Sequence, residues 1–303
     1  MKIFQGKEDG NDYVASFFGL SGSGKSTLIN SLIGQKVLIM SDKPQTTRNK
    51  IMCVLTQEDA QILFVDTPGI HKPKHKLGEL MVQTAQSTLK EVDVVLMVAD
   101  GTASFGSGEE YIIEQLRAVR TPVILAINKI DMLSKEAIFP IIRQYQERFD
   151  FQAIVPISAL EHIQLEALVE EIKTHLEPGP QYYPEDMITD QPERLVIAEM
   201  IREKVLHLTR EEIPHAIAVE IEEIKTRPNE DLYVRAVIYV ERESQKGIVI
   251  GAKGGLLKEI GRLAREDVQG LLGSKVYLDL WVKVKKDWRN RDMMLRTLGY
   301  KGE

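Results

Sequence analysis

The chain has a single cysteine, Cys53, among 303 residues, so no internal disulfide can staple it. Its place in the apolar run "IMCVLT" makes it a small core residue rather than a reactive thiol. No apolar stretch approaches the ~20 residues that a bilayer-spanning helix needs. The opening "MKIFQGKEDGNDY" lacks the apolar core of a secretory signal. A cytosolic protein with no integral membrane span is the expectation. Internal repeats and low-complexity segments are also missing, which sets aside solenoids and disordered tracts. Net positive charge is absent too: the formal total is −6, which taken alone argues against nucleic acid.

That total conceals an asymmetry. Residues 241–303 carry 14 Lys+Arg against 9 Asp+Glu, a net of +5, whereas residues 1–240 carry 25 against 36, a net of −11. A basic end on an acidic body suggests that the end meets phosphates.

The length suits two domains, and 43% hydrophobic with 28% charged residues is an ordinary globular balance. In the first half, apolar runs alternate with amphipathic stretches. "YVASFFG" (13–19) reads as a strand followed by a helix from Lys25, and "IMCVLT" and "QILFVD" read as a hairpin about "QEDA". Buried strands are expected at 93–100, 122–128 and 153–158, and helices near 107–119, 134–149 and 162–176. This alternation implies an α/β domain with a mainly parallel, doubly wound sheet. It ends at "EPGPQYYPEDMITDQPE" (177–193), where four of the twelve prolines cluster and neither a helix nor a central strand can continue. The expected division is therefore a domain over 1–177, a linker over 178–192 and a second domain over 193–303. The second reads as α+β: helix 193–208, strands 216–225 and 231–241, helices 244–250 and 255–272, and strand 275–285.

The motifs carry the chemistry. Gly19-x4-Gly24-Lys25-Ser26 follows a strand and opens a helix, the context of a phosphate-binding loop. Backbone N–H groups from Gly19 to Thr27, with Gly22 and Gly24 giving the turns, would cradle phosphates at a helix N-terminus. Lys25 would reach the β- and γ-phosphates, and Ser26 would bind Mg²⁺. Asp66, ending a strand in "FVDTPG", is the second magnesium partner, and Gly69 can bring its own N–H to the γ-phosphate. In "MSDKPQTTRNK" (40–50), Thr47, rather than Thr46, is the residue expected to bind Mg²⁺ only when the γ-phosphate is present. Residues 67–80 form a second candidate switch. Lys25, Thr47 and Gly69 are the candidate catalytic set.

A phosphate loop does not choose between ATP and GTP; "NKID" does. Asp131 can accept two hydrogen bonds from the ring N–H and amino group of guanine, a donor pair that adenine lacks, and a carboxylate left unpaired there discriminates strongly. Asn128 can tie loops together and hold the other edge of the base. The Lys129 stem can lie along the ring. One strand later, Ser158 and Ala159 of "ISAL" supply a candidate backbone donor to the guanine oxygen.

In the basic end, Gly251-Ala252-Lys253-Gly254 lies between two helical segments within a helix–strand–strand–helix–turn–helix–strand frame. A GxxG turn lets a nucleic-acid backbone lie against protein backbone, as in KH modules that clamp about four nucleotides. Lys246, Lys253 and Lys258 are the nearest cations. Ile248 and Ile250 are candidates for an apolar floor, with core packing expected for at least one. Trp281 is expected in the core, and the sequence leaves Trp288 open.

The phosphate loop, "KPQTTRNK", "DTPGIHKPKHKLG", "NKID", "ISAL", "REKVLHLTREEIPHAIAVEIE" and "SQKGIVIG", in that order, resemble the Era-like GTPase family over about residues 13–299. The resemblance implies a GTPase domain joined to a type II KH domain, with GTP/GDP and Mg²⁺ bound. It also implies binding to the 3′ end of 16S rRNA, assistance to 30S subunit assembly, a monomer, and peripheral association with the inner face of the cell membrane. Three positions depart from the family. Gly22 replaces the asparagine that helps hold a monovalent cation in potassium-stimulated relatives, so that activation is not implied. Ser23 stands where the family has valine, and His162 where it usually has glycine. Ile70 occupies the position where Ras-like GTPases hold a water-orienting glutamine, so the intrinsic rate should be low. Two other readings compete: an assembly factor that binds nucleotide but barely hydrolyses it, and an ATP-using kinase or ATPase suggested by "SGSGKST" alone. Asp131→Asn should lower guanine-nucleotide affinity on the order of 10⁴-fold and favour xanthosine nucleotides; competition binding with both bases checks this.

Overall fold

The computed structural model describes residues 11–18 (backbone only), 22–41, 43, 46–69, 73, 75–89, 91–176, 181–228 and 231–300. Gly19, Ile70, residues 177–180 and part of "HKPKHK" lie outside them. The described residues fall into two compact units, one within Met1–Lys36, Thr47–Lys72 and Met81–Asp190, the other within Val37–Thr46, Pro73–Leu80 and Gln191–Glu303.

The chain runs β1 (Asn11–Phe18), α1 (Lys25–Ile33), β2 (Ile51–Thr56), β3 (Ala60–Asp66), α2 (Lys76–Thr88), β4 (Val94–Asp100), α3 (Ser107–Leu116), β5 (Val123–Asn128), α4 (Lys135–Gln146), β6 (Ala153–Pro156) and α5 (Leu165–Lys173). Its sheet has the order β2-β3-β1-β4-β5-β6, parallel except for the β2–β3 hairpin. Every residue of β3 and β5 is buried, which is why these strands read as unbroken apolar runs rather than alternating ones. Register sets Asp66 beside Phe17 and Asn128 beside Asp100. The carboxyl ends of β1, β3, β4 and β5 thus gather at one edge, where doubly wound sheets hold ligands.

Several expectations shift. Strand β6 stops at Pro156 rather than Ser158, because Ser158 turns to bridge Ile163. Helix α2 was not foreseen in a stretch read partly as a switch loop, although Leu77, Met81 and Ala85, buried at i, i+4 spacing, gave the signal. From 181 to 190 the proline-rich segment is not a free tether. Tyr183 exchanges bonds with Gln61, Ile188 O accepts from Val54 N, and Thr189 Oγ1 donates to Met52 O. It therefore covers the outer edge of β2, which would otherwise expose unpaired backbone. Cys53 is fully buried there, and burial pushes its thiol well above the usual range.

The second unit continues with α6 (Glu193–Leu208), α7 (Ile213–Ala216), β7 (Ala218–Thr226), β8 (Leu232–Val240), α8 (Glu243–Ile250), α9 (Gly255–Leu272), β9 (Val276–Val284) and α10 (Asp292–Thr297). Strand β8 pairs antiparallel with β7 and parallel with β9. Helix α9 buries Ile260, Ala264 and Val268 along one stripe, and left-handed glycines, Gly254 (φ 79°) and Gly273 (φ 64°), bound it. Ile197, Ile201 and Val205 of α6 share its core with β8 residues Val234, Ala236 and Ile238. Residues 37–46 belong to this unit: Ile39 joins the core, Met40 N donates to Glu203, and the buried Arg202 guanidinium donates to Thr46 O and pairs with Glu199.

Trp281 contradicts the sequence expectation. It is 54% exposed, whereas Trp288 is completely buried, its indole N–H donating to Ala216 O at 2.8 Å. The register explains the reversal. Val276 and Val282 face the core, so odd-numbered positions of β9, Trp281 among them, face away. Trp288→Phe leaves the Ala216 carbonyl without this donor and should lower unfolding free energy by about 1–3 kcal/mol; a urea titration followed by far-ultraviolet circular dichroism reads it.

Candidate nucleotide and RNA sites

Three side chains from separate segments meet at the carboxyl end of β3. Ser26 Oγ and Thr47 Oγ1 both donate to Asp66 Oδ2 at 2.9 Å and lie 3.1 Å from each other. The other carboxylate oxygen, Asp66 Oδ1, is buried with no hydrogen-bond partner. Two hydroxyls and an orphaned carboxylate oxygen suit Mg²⁺, a hard cation that takes few protein ligands and completes its shell with water and phosphate oxygens. Among the described residues no group of three His, Cys, Asp or Glu side chains competes for a metal. Thr46 is engaged elsewhere, donating to Lys43 O at 2.7 Å, so the geometry favours Thr47 of the two threonines. Lys25 is buried beside this cluster. Loss of water pulls its ammonium down to about 8 against the attraction of Asp66. Burial likewise pushes the Asp66 carboxyl up, opposed by Lys25, Ser26 and Thr47. Both groups are thus short of solvation, a deficit that a phosphate–magnesium complex would relieve.

Asn128 ties the surrounding loops. Its Nδ2 donates to Ser23 O at 2.9 Å, and its Oδ1 accepts from Lys129 N at 2.8 Å and Ala159 N at 2.9 Å. Gly24, at φ 94°, leaves the room for this: a Cβ there would lie 2.3 Å from Asn128 Nδ2. Gly22 is also left-handed, at φ 87°, but a Cβ would meet open space. The Lys129 ammonium is fixed to Asp100 at 2.5 Å. Asp131 sits exposed in the single turn Ile130–Met132 directly after β5.

One expectation at this end changes. The Ala159 N–H expected for the base is already bonded to Asn128, so its contribution to a purine oxygen would be shared. The loop is fixed further by Ser31 Oγ donating to Ala159 O at 2.6 Å and by the Ser158–Ile163 bridge. His162 has φ 54°, in the left-handed region that strains residues with a Cβ. Ser23 is buried and offers its carbonyl to Asn128. Thr27 lies in the first turn of α1, and Gly69 is buried just beyond β3.

In the second unit, α8 ends at Gly251 (φ 73°), and Lys253 (φ 51°) and Gly254 (φ 79°) complete the turn into α9. A Cβ at Gly251 would stand 2.7 Å from Leu256 Cβ, whereas Gly254 has open space around it. The first glycine is required by packing, and the second keeps the backbone accessible. Ala252, Lys253 and Lys258 are exposed and Lys246 is half-buried. Ile248 is 54% exposed, and Ile250 packs on the core, the division anticipated for the pair. A groove of about 540 Å³ follows, between α9 and β9, with Leu257, Leu278 and Leu280 as its apolar lining, Lys258 and Arg265 as cations, and Arg262 paired with Glu259 and Glu266. Leu278, Leu280, Arg262 and Arg265 were not foreseen. The i, i+4 step from Lys258 to Arg262 and the alternation of β9 were the available signals.

Residues 14–129 match the family described as "50S ribosome-binding GTPase", and residues 212–289 match the KH domain. Over 96% of its length the chain is similar to the crystal structure of Era in complex with MgGDPNP and nucleotides 1506–1542 of 16S ribosomal RNA, at 43% identity, 99% coverage of that chain and a TM-score of 0.93. It is equally similar to a singly substituted Aquifex aeolicus Era bound to GDP·AlF4⁻, at 43% identity, 96% and 99% coverage and a TM-score of 0.92.

Asn128→Ala removes three hydrogen bonds at once. Unpaired buried groups cost about 1–3 kcal/mol each, so guanine-nucleotide affinity should fall roughly 100-fold or more, as read by titration with a fluorescent GDP.

Proposed function

Since the chain belongs to the Era family of GTPases, we propose that it is a GTP-hydrolysing switch protein that binds the 3′ end of 16S ribosomal RNA and assists assembly of the small ribosomal subunit. The observation that carries the nucleotide half is the convergence of Ser26 and Thr47 on Asp66 Oδ2, with the second carboxylate oxygen, Oδ1, buried and unbonded beside them. The RNA half is supported by the GxxG turn opening onto a groove with an apolar floor and with Lys258 and Arg265 at its rim.

Residues 1–177 act as the GTPase domain, 178–192 as the connection and 193–303 as the RNA-binding domain. Lys25 holds the β- and γ-phosphates. Ser26, Thr47 and Asp66 hold Mg²⁺, which when bound neutralises charge on the phosphates. Gly69 donates its N–H to the γ-phosphate, and loss of that phosphate releases Thr47 from the cluster. Asp131 selects guanine, Lys129 covers its face, and Asn128 sets the distance between the base and the phosphate loop. Lys246, Lys253 and Lys258 meet RNA phosphates, while Ile248 and the GxxG backbone receive the bases.

Ile70 supplies no hydrogen bond to an attacking water, so intrinsic hydrolysis is slow, on the order of 10⁻³ s⁻¹ or below. The same residue favours the second reading, a site that binds GTP and barely turns it over. The family resemblance alone supports a monomeric, cytoplasmic protein with peripheral contact on the inner face of the membrane. Among the described residues no helix is long and apolar enough to cross one.

Two measurements test the proposal. Single-turnover GTP hydrolysis should be slow but measurable, should require Mg²⁺ and should show no activity with ATP; no turnover under any condition selects the second reading. Crosslinking to cellular RNA should enrich the 16S 3′ end, and Gly254→Asp should reduce it tenfold or more while GDP binding is retained.

A further inference from the structure

The three-stranded sheet β7-β8-β9 has a second face, away from α6 and α9, and β9 is its edge strand. Strand alternation sends Leu278 and Leu280 to the groove and Tyr277, Asp279, Trp281 and Lys283 to this other face. Tyr277 and Trp281 are each 54% exposed, between core residues Val276 and Val282 at 5% and 7%. Two large aromatics left open on one strand face are informative where single exposed apolar residues are not.

The Tyr277 ring is held in place. Tyr277 stacks on Tyr233 with centroids 5.8 Å apart and planes 15° from parallel. The Arg227 guanidinium lies over both, 4.6 Å from Tyr277 and 5.3 Å from Tyr233. The Tyr233 hydroxyl donates to Asp279 at 2.8 Å, and Arg235 Nε reaches the same carboxylate at 3.3 Å. The carboxylates of this face are matched within it: Glu222 by Lys283 at 2.6 Å, Glu223 by Lys225 at 2.5 Å and Glu220 by the Tyr239 hydroxyl at 2.8 Å. Exposed Arg227 at one end of β9 and exposed Lys285 and Lys286 past the other add positive charge along the edge. Preformed aromatic faces flanked by cations are what unpaired nucleotides bind, because every base has a face to stack.

We propose that this face is a second RNA contact, a stacking platform on which Tyr277 and Trp281 receive unpaired bases of the strand that leaves the groove between α9 and β9. The inference rests on the reading that RNA occupies that groove. One strand, β9, separates the two surfaces, so RNA passing around the sheet edge moves from one to the other within about 5 Å of strand width. The side chains at 277 and 281 are four residues apart, roughly 13 Å, which leaves room for separate bases.

Anisotropy titrations of the full chain with two labelled single-stranded RNAs from the 16S 3′ end, a hexamer and a 16-mer, test this. The doubly substituted Tyr277→Thr, Trp281→Thr protein keeps strand-favouring residues at both sites. It should bind the 16-mer about 5- to 150-fold more weakly, the range for one stacked base, and the hexamer within about twofold of the unaltered protein. The 16-mer should also quench tryptophan emission, since Trp288 is buried and Trp281 is open. Trp281→Phe should retain 16-mer affinity and lose the quenching. Equal weakening for both RNAs, or none for either, overturns the platform. Failure of the unaltered protein to bind the hexamer overturns instead the reading of the groove beneath it.

Discussion

The nucleotide site depends on one side-chain amide. Asn128 joins the glycine-rich loop through Ser23, the turn after β5 through Lys129 and the loop after β6 through Ala159. Three segments far apart in sequence thereby become a single frame. Gly24 is the complement of this arrangement, because any side chain at that position would occupy the space of the amide. Since buried polar groups need partners, the loops cannot separate without stranding at least one of them. These candidate binding loops are consequently fixed relative to one another by the protein itself, and such preorganisation reduces the ordering cost of binding.

Against that fixed frame stands a less settled cluster. Ser26, Thr47 and Asp66 come from three separate segments of one compact unit and meet through their hydroxyls and one carboxylate oxygen. Asp66 keeps one oxygen unpaired in the interior, and Lys25 is held there with its ammonium desolvated. Arrangements of this kind are costly in a resting fold and are found where a charged ligand completes the network.

The second unit does its work through strand alternation. Because successive residues of β9 point to opposite faces, one nine-residue strand supplies both the apolar lining of a groove and an aromatic outer surface. Trp288, rather than Trp281, closes the end of the core, and its indole satisfies the carbonyl of Ala216. The left-handed glycines around the GxxG turn divide their tasks in the same economical way: Gly251 permits close packing on Leu256, and Gly254 leaves backbone open.

Sequence alone determined the features that rest on local chemistry. Runs of buried β-branched residues announced β3, β4 and β5, and the spacing of glycine, lysine and carboxylate residues marked the two candidate sites. Relations between distant residues were decided only by the folded chain. Trp281 and Trp288 are both tryptophans in a basic stretch, and register, not composition, put one outside and one inside. The Ala159 amide is bonded to the Asn128 side chain, a partner distant in sequence. Leu278 and Arg262 gained meaning when β9 and α9 were placed side by side. The division has one cause: propensity and spacing act within a few residues, whereas burial and hydrogen-bond partnership depend on what the rest of the chain brings into contact.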